Sequence, residues 1–177
     1  VESIAGVSLD AFITKNLFQR LNMDNTFYNP PDHKLRRIVP TEIVSGYRSG
    51  LIHGEVHDEN AHKLGGVAGH AGLFSTAGDL AKFSQCMLQG GIYGNKRIFK
   101  EKTIQQFTAQ SLVDSSSSRC LGWDSPSGEA SGGIYISDNS YGHTGYTGTS
   151  LWIDPTHDLF VILLTNAVHP NRNRKTP

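Results

Sequence analysis

Apolar residues recur every third or fourth position along the first part of the chain, and every second position from Leu121 onward. That change of period predicts helices first and antiparallel strands last, an α+β arrangement with the strand block packed against helices. "VESIAG" reads as the last turns of a helix ended by Gly6, since glycine tolerates the left-handed position after a helix. Ser8 is expected to cap a second helix, "LDAFITKNLF", with Leu9, Phe12, Ile13 and Leu17 on one face. "RLNMDNTFYNPPD" then breaks into turns, because the Pro30-Pro31 pair excludes helix. Residues 32 to 57 read as irregular, with short extended pieces such as "RIVP".

"DENAHKLGG" predicts a short helix capped by Asp58. Thr76 and Asp79 form a T-x-x-D capping box opening a helix with apolar Leu80, Phe83, Met87 and Leu88, which stops at Gly90-Gly91. "EKTIQQFTAQ" predicts one more helix. "LGWD", "GGIYIS", "GHTGYTG", "TSLWID" and "LFVILLTN" then read as strands, the last two joined as a hairpin across "PTHD". Trp123, Trp152, Phe160 and the Leu159 to Leu164 run read as core, where each such side chain stabilises the fold by roughly 1.5–3 kcal/mol. The serine run 115 to 118 reads as a flexible loop.

Composition narrows the function classes. The chain has 177 residues, 19 of them glycine, with 18% charged residues and zero formal net charge. This describes a loop-rich globular protein without an electrostatic case for nucleic acid or an anionic membrane. The longest apolar run is too short for a transmembrane segment. Cys86 and Cys120 read as two separate thiols, with Cys86 in the core. Val1 and the polar tail "HPNRNRKTP" give the expectation of a fragment, and Arg172, Arg174 and Lys175 read as solvated.

The candidate chemistry centres on His143-Thr144-Gly145, placed just ahead of a strand. Glycine on an edge strand lets a ligand approach the main chain, and the following N–H can donate to a developing oxyanion. Histidine can supply a proton or a polar contact near neutral pH. The order "GGVAGHAGLFSTAGDLAKF", "LGW", "GHTGYTGTSLWIDP", "LFVILLTN" resembles the serine β-lactamase-like family of class C β-lactamases, D,D-peptidases (penicillin-binding proteins) and related esterases. The opening thirty residues are similar to the family segment that follows its second catalytic motif, so residues 1–177 are expected to be the C-terminal portion of a single β-lactamase-like domain.

The resemblance implies a cleft built from S-x-x-K, Y-x-N and a K-T-G or H-T-G strand. His143 would be the catalytic residue of the third element, with Thr144 and Gly145 binding substrate and the backbone N–H of Tyr146 donating in the oxyanion hole. His143 replaces the family's usual lysine, so a permanent cation gives way to a largely neutral ring. No serine is followed three places later by lysine, so the nucleophile is expected upstream of Val1. Tyr93-Gly94-Asn95 reads as a turn and Ser137-Asp138-Asn139 as a polar loop, rather than as catalytic motifs.

His53, His57, His62 and His70, with Asp58 and Glu59, raise a metal-binding alternative. Their spacing lacks a zinc pattern, and capping or loop hydrogen bonds are preferred, with neither metal nor cofactor expected. The expected parent is a serine acyl hydrolase of β-lactamase, D,D-carboxypeptidase or esterase type, taking a small-molecule or peptidoglycan-like acyl substrate through an acyl-enzyme. The chain alone is expected to be inactive, and to self-associate through exposed apolar surface. A non-catalytic penicillin-binding-like recognition module is the rival reading. The resemblance suggests a periplasmic, cell-envelope or secreted location.

Overall fold

In the computed structural model, which describes residues 1–46, 48–110, 118–126 and 132–173, helices precede the main sheet as the change of period requires. Residues 115–117, Arg174 and Lys175, expected in a loop and a solvated tail, lie outside the described residues. The chain divides into two compact units: unit 1 is Val1–Asp79, Tyr146–Gly148 and Thr165–Pro177, and unit 2 is Leu80–Gly145 and Thr149–Leu164. No helix among the described residues is long and apolar enough to cross a membrane.

Unit 1 opens with α1 (Glu2–Ala5), ended as expected by a left-handed Gly6. The second helix departs from its predicted face. It runs as α2 (Leu9–Ile13), a π-helical turn Thr14–Phe18, and α3 (Gln19–Leu21). Within it the Asn16 side chain donates to the Phe12 carbonyl at 2.8 Å, an alternative partner for a helix backbone acceptor. The wider turn rotates the apolar face, so Phe18 and Leu21 are buried while Phe12 is exposed. Ser8 makes no side-chain cap bond; Glu2 accepts from the Leu9 N–H instead, at 2.8 Å.

Further along unit 1, β1 (Phe27–Tyr28) pairs antiparallel with β4 (Leu73–Phe74), and β2 (Ile43–Val44) with β3 (Gly50–Leu51). In "RIVP" Arg37 closes a 3-10 turn and Ile38 is extended, but strand pairing begins only six residues after Arg37, at Ile43. Asp58 caps α4 (Glu59–Lys63), accepting from the Ala61 N–H at 2.7 Å. Thr76 Oγ1 accepts from the Asp79 N–H at 3.2 Å, and the Asp79 carboxylate takes the Asn25 N–H and the Thr26 hydroxyl. The first turn of α5 (Ala77–Leu88) is thereby tied to the turn before β1.

Unit 2 holds the rest of α5, the small hairpin β5 (Ile92–Tyr93) and β6 (Lys96–Arg97), and α6 (Glu101–Thr108). Its main sheet is antiparallel in the order β7 (Tyr141–Gly145), β8 (Thr149–Asp154), β9 (Leu159–Leu164). Met87, Ile104, Tyr141 and Ile153 form its buried core, edged by Phe83, Phe99 and Trp123. Trp123 stands edge-on to Tyr141 with ring centroids 5.2 Å apart, a favoured aromatic geometry. Burial pushes the Tyr141 phenol up to about 12. Cys86 and Cys120 are both buried and form no disulfide with each other.

Three strand expectations change. "GGIYIS" forms no strand: the Gly142 N–H and C=O are already exchanged with Asp124, and Ser137 turns to the Asp154 carboxylate. "LGWD" contributes only the single bridging residue Asp124. "GHTGYTG" stays extended only to Gly145, and Tyr146–Gly148 forms the turn into β8. The apolar run of β9 is not core throughout, since Leu159, Val161 and Leu163 are exposed while Phe160 and Ile162 are half-buried.

Candidate active-site strand and turn

β7 begins buried and ends exposed. Tyr141 and Gly142 are covered, whereas His143, Thr144 and Gly145 lie open at the end of an edge strand. Gly142 is there for want of space: a Cβ would stand 2.4 Å from both the Leu151 carbonyl oxygen and the Trp152 indole. Cross-strand partners place His143 opposite Leu151, Thr144 opposite Ser150 and Gly145 opposite Thr149.

The ring of His143 is held at both nitrogens. Arg119 Nη1 lies 2.8 Å from Nε2, and Nδ1 lies 2.7 Å from the Thr144 carbonyl oxygen. A guanidinium only donates, so Nε2 accepts and Nδ1–H donates, which defines the neutral tautomer. Arg119 Nε in turn pairs with Asp124 at 3.0 Å. An Asp124–Arg119–His143 chain thus sets a fixed cation beside the H-T-G sequence.

The Tyr146–Gly148 turn belongs to unit 1. The carbonyls of Thr147 and Gly148 accept from the N–H groups of Ala167 and Thr165, at 2.8 and 3.3 Å, while the Tyr146 N–H donates to no group among the described residues. Gly148 has φ near +98°, a conformation that side chains resist. Tyr146 is 70% exposed; its ring stacks on His57 at 5.7 Å, with the Arg172 guanidinium carbon 5.9 Å from the ring centre. Buried Glu42 accepts from His57 Nε2–H at 2.9 Å, and from the Arg172 backbone N–H and Nε–H at 2.8 Å each. Glu42, Arg48, His57, Glu59 and Arg172 line a pocket of about 340 Å³. Hydrogen bonds from Arg172, outweighing burial and helped by His57, lower the Glu42 carboxyl to about 2. Arg172, expected as a solvated tail residue, is exposed and is also an ion-paired member of this cluster.

Other motif-like groups resolve differently. Gly94 and Asn95 of "YGN" are the turn of the β5–β6 hairpin. Ser137, Asp154 and His157 have the residue types of a catalytic triad but not its connectivity. The Ser137 hydroxyl donates to Asp154 Oδ1 at 2.6 Å and His157 Nδ1–H to Oδ2 at 2.8 Å, so the serine is bonded to the aspartate and not to the histidine. Burial alone would raise the Asp154 carboxyl; the bonds from Ser137 and His157 outweigh it and hold the group well below the usual range. The clustered histidines go separate ways: His53 to the Leu35 and Ile38 carbonyls, His57 to Glu42, His62 toward Glu55, and His70 to Asp58. Among the described residues no three His, Cys, Asp or Glu side chains converge on a metal position.

Comparison with known proteins gives the family and the fold. The Beta-lactamase family model matches residues 1–177, and the chain belongs to that family. It is 38% identical over 186 residues to an Escherichia coli (strain K12) protein named, provisionally, a D-alanyl-D-alanine carboxypeptidase, covering 96% of this chain and 42% of that protein. A Salmonella heidelberg (strain SL476) relative with the same provisional name is 39% identical over the same coverage. The chain therefore spans about two fifths of the length of these relatives. Among solved structures, a penicillin-binding protein homologue from Caulobacter crescentus superposes with TM-score 0.63 at 14% identity, covering 91% of this chain and 48% of its own. Simvastatin synthase from Aspergillus terreus gives 0.65 at 16%, covering 97% and 48%. At such identities these two speak for the fold, which is the β-lactamase and penicillin-binding-protein fold.

The local sequence singles out His143 to Tyr146 as candidates but gives no sign of Arg119 beside His143, or of Arg172 and Glu42 near Tyr146. Arg119 meets its partner across 24 positions and Arg172 meets Glu42 across 130, separations for which local spacing offers no signal.

Proposed function

We propose that the protein is a serine acyl hydrolase of D,D-carboxypeptidase type, acting on a peptide that ends in a free carboxylate. The observation that carries the reading is the Arg119–His143 contact on the open edge of β7. Where the family's lysine is replaced by a neutral histidine, Arg119 supplies a permanent charge suited to a carboxylate by geometry as well as sign. The names of the Escherichia coli and Salmonella relatives support the same substrate class.

In this reading a serine outside the chain attacks the penultimate carbonyl carbon. The tetrahedral oxyanion is held by the Tyr146 N–H and the serine's own N–H. The C–N bond breaks, the terminal amino acid leaves with a proton on its nitrogen, and water then cleaves the acyl-serine ester. Thr144 and Gly145 offer the strand edge along which the extended peptide lies. Arg119 and His143 face its terminal carboxylate.

The test is kinetic, in the full-length protein. Arg119→Met is expected to lower kcat/KM about 10- to 100-fold on a D-alanyl-D-alanine peptide, the scale of one lost hydrogen bond to a charged group. Hydrolysis of a neutral ester without a carboxylate should be nearly unchanged. Equal losses on both substrates would sink the carboxylate assignment, and a wild-type protein that no fluorescent penicillin or fluorophosphonate labels would sink the acyl-enzyme itself.

A further inference from the structure

We propose that Glu42 is a positioning residue for the Tyr146–Gly148 turn, acting through Arg172 and His57. The inference rests on the reading of the Tyr146 N–H as an oxyanion donor. A carboxylate only 4% exposed has to be paired and hydrogen-bonded, and Glu42 is satisfied by two side chains at once. Its oxygens take Nε and the backbone N–H of Arg172, with Nη2 at 2.7 Å, and Nε2–H of His57. Two flat groups, a guanidinium and an imidazole, are thereby fixed in orientation by one anion.

Both of these groups meet Tyr146. The imidazole lies 20° from parallel to its ring, and the guanidinium carbon sits within cation–π range. The backbone side of the turn depends on the same two segments. Gly148 O accepts from the N–H and hydroxyl of Thr165. The segment that follows is laced to residues 40–43: Asn166 donates to the Pro40 carbonyl, His169 to the Thr41 carbonyl, and the Ile43 N–H to the Pro170 carbonyl. Ring and main chain of the turn are thus referred to one buried carboxylate. Half-exposed Glu59, 2.6 Å from Arg172 Nη2, holds the outer edge of the same guanidinium.

The experiment uses the full-length protein and two readouts. Glu42→Gln keeps the shape of the side chain and removes its charge. Amide exchange at Tyr146–Gly148 is expected to accelerate about tenfold or more, with β8 and β9 amides unchanged, as for a local opening. On the carboxylate-ended peptide, kcat should fall about tenfold with KM within about twofold, because a misaligned oxyanion donor is felt in the transition state. In a Tyr146→Ala background Glu42→Gln should cost clearly less than in the wild type, since the part of its effect that passes through the ring is already lost. A folded Glu42→Gln protein with wild-type exchange at the turn, or additive losses in the double variant, would overturn the proposal. Should Glu42→Gln fail to fold, Glu59→Gln is expected to speed the same exchange about two- to threefold at its more exposed site, and no change there overturns the proposal equally. Exchange is read without turnover, so an inactive wild-type protein counts against the acyl-hydrolase reading, and the turn's exchange still decides the role of Glu42.

Discussion

At Gly142 the chain leaves no room for a side chain, because the carbonyl of Leu151 and the indole of Trp152 occupy the place of a Cβ. Gly142→Ala is therefore expected to destabilise by about 1–3 kcal/mol, the usual cost of overpacking, read as a lowered denaturation midpoint. A midpoint equal to wild type would show that β7 shifts freely. Glu42 gives a pH prediction. Its carboxyl lies at about 2 in the folded protein against an ordinary 4.5, so it binds protons less readily when folded. Its contribution to stability is complete above 4.5 and is lost as pH falls through about 2. Acid denaturation followed by circular dichroism should steepen across that window, and Glu42→Gln should flatten it; an unchanged acid limb in the variant would remove Glu42 from the account. The sequence gives Gly145 a reason in the approach of a ligand and is silent on Gly142, which packing explains. The partners of Glu42 were illegible, since a carboxylate in an irregular stretch looks alike whether it is solvated or buried.

Elements with a strong single period were legible in sequence, and those shaped by side-chain competition were not. α5, α6 and the β8–β9 hairpin follow from capping, amphipathic spacing and a four-residue turn. The π-helical turn at Thr14–Phe18 does not follow from a 3.6-residue period, because it depends on what Asn16 binds. "GGIYIS" alternates as a strand should, yet Asp124 already takes the ladder position at Gly142. β9 shows the limit of an all-apolar run: it still alternates, leaving Leu159, Val161 and Leu163 41%, 54% and 53% exposed along one row. Such an edge strand is a template for pairing. The chain on its own is expected to self-associate at micromolar concentration, and Val161→Lys with Leu163→Lys to restore a monomer in light scattering. A monodisperse wild-type chain would refute this.

For the molecule as a whole, the order of helices and strands pointed to an α+β fold, and the H-T-G sequence in its segment order pointed to the family. Both came from features contiguous in the chain. The electrostatics of the site did not: Arg119 reaches His143 from a loop, and the support of Tyr146 is assembled from positions near 42, 57 and 172. The two units also differ in how they are written. Unit 2 is spelled by Leu80–Gly145 and Thr149–Leu164, whereas unit 1 is split around it. On a ribosome, every residue of unit 2 has been made before Thr165 emerges. Val1–Asp79 must wait for Asn166, His169 and Arg172 to close upon it, with the carboxylate of Glu42 still in water. Of these two units, the one with the earlier residues is thus the later to be completed.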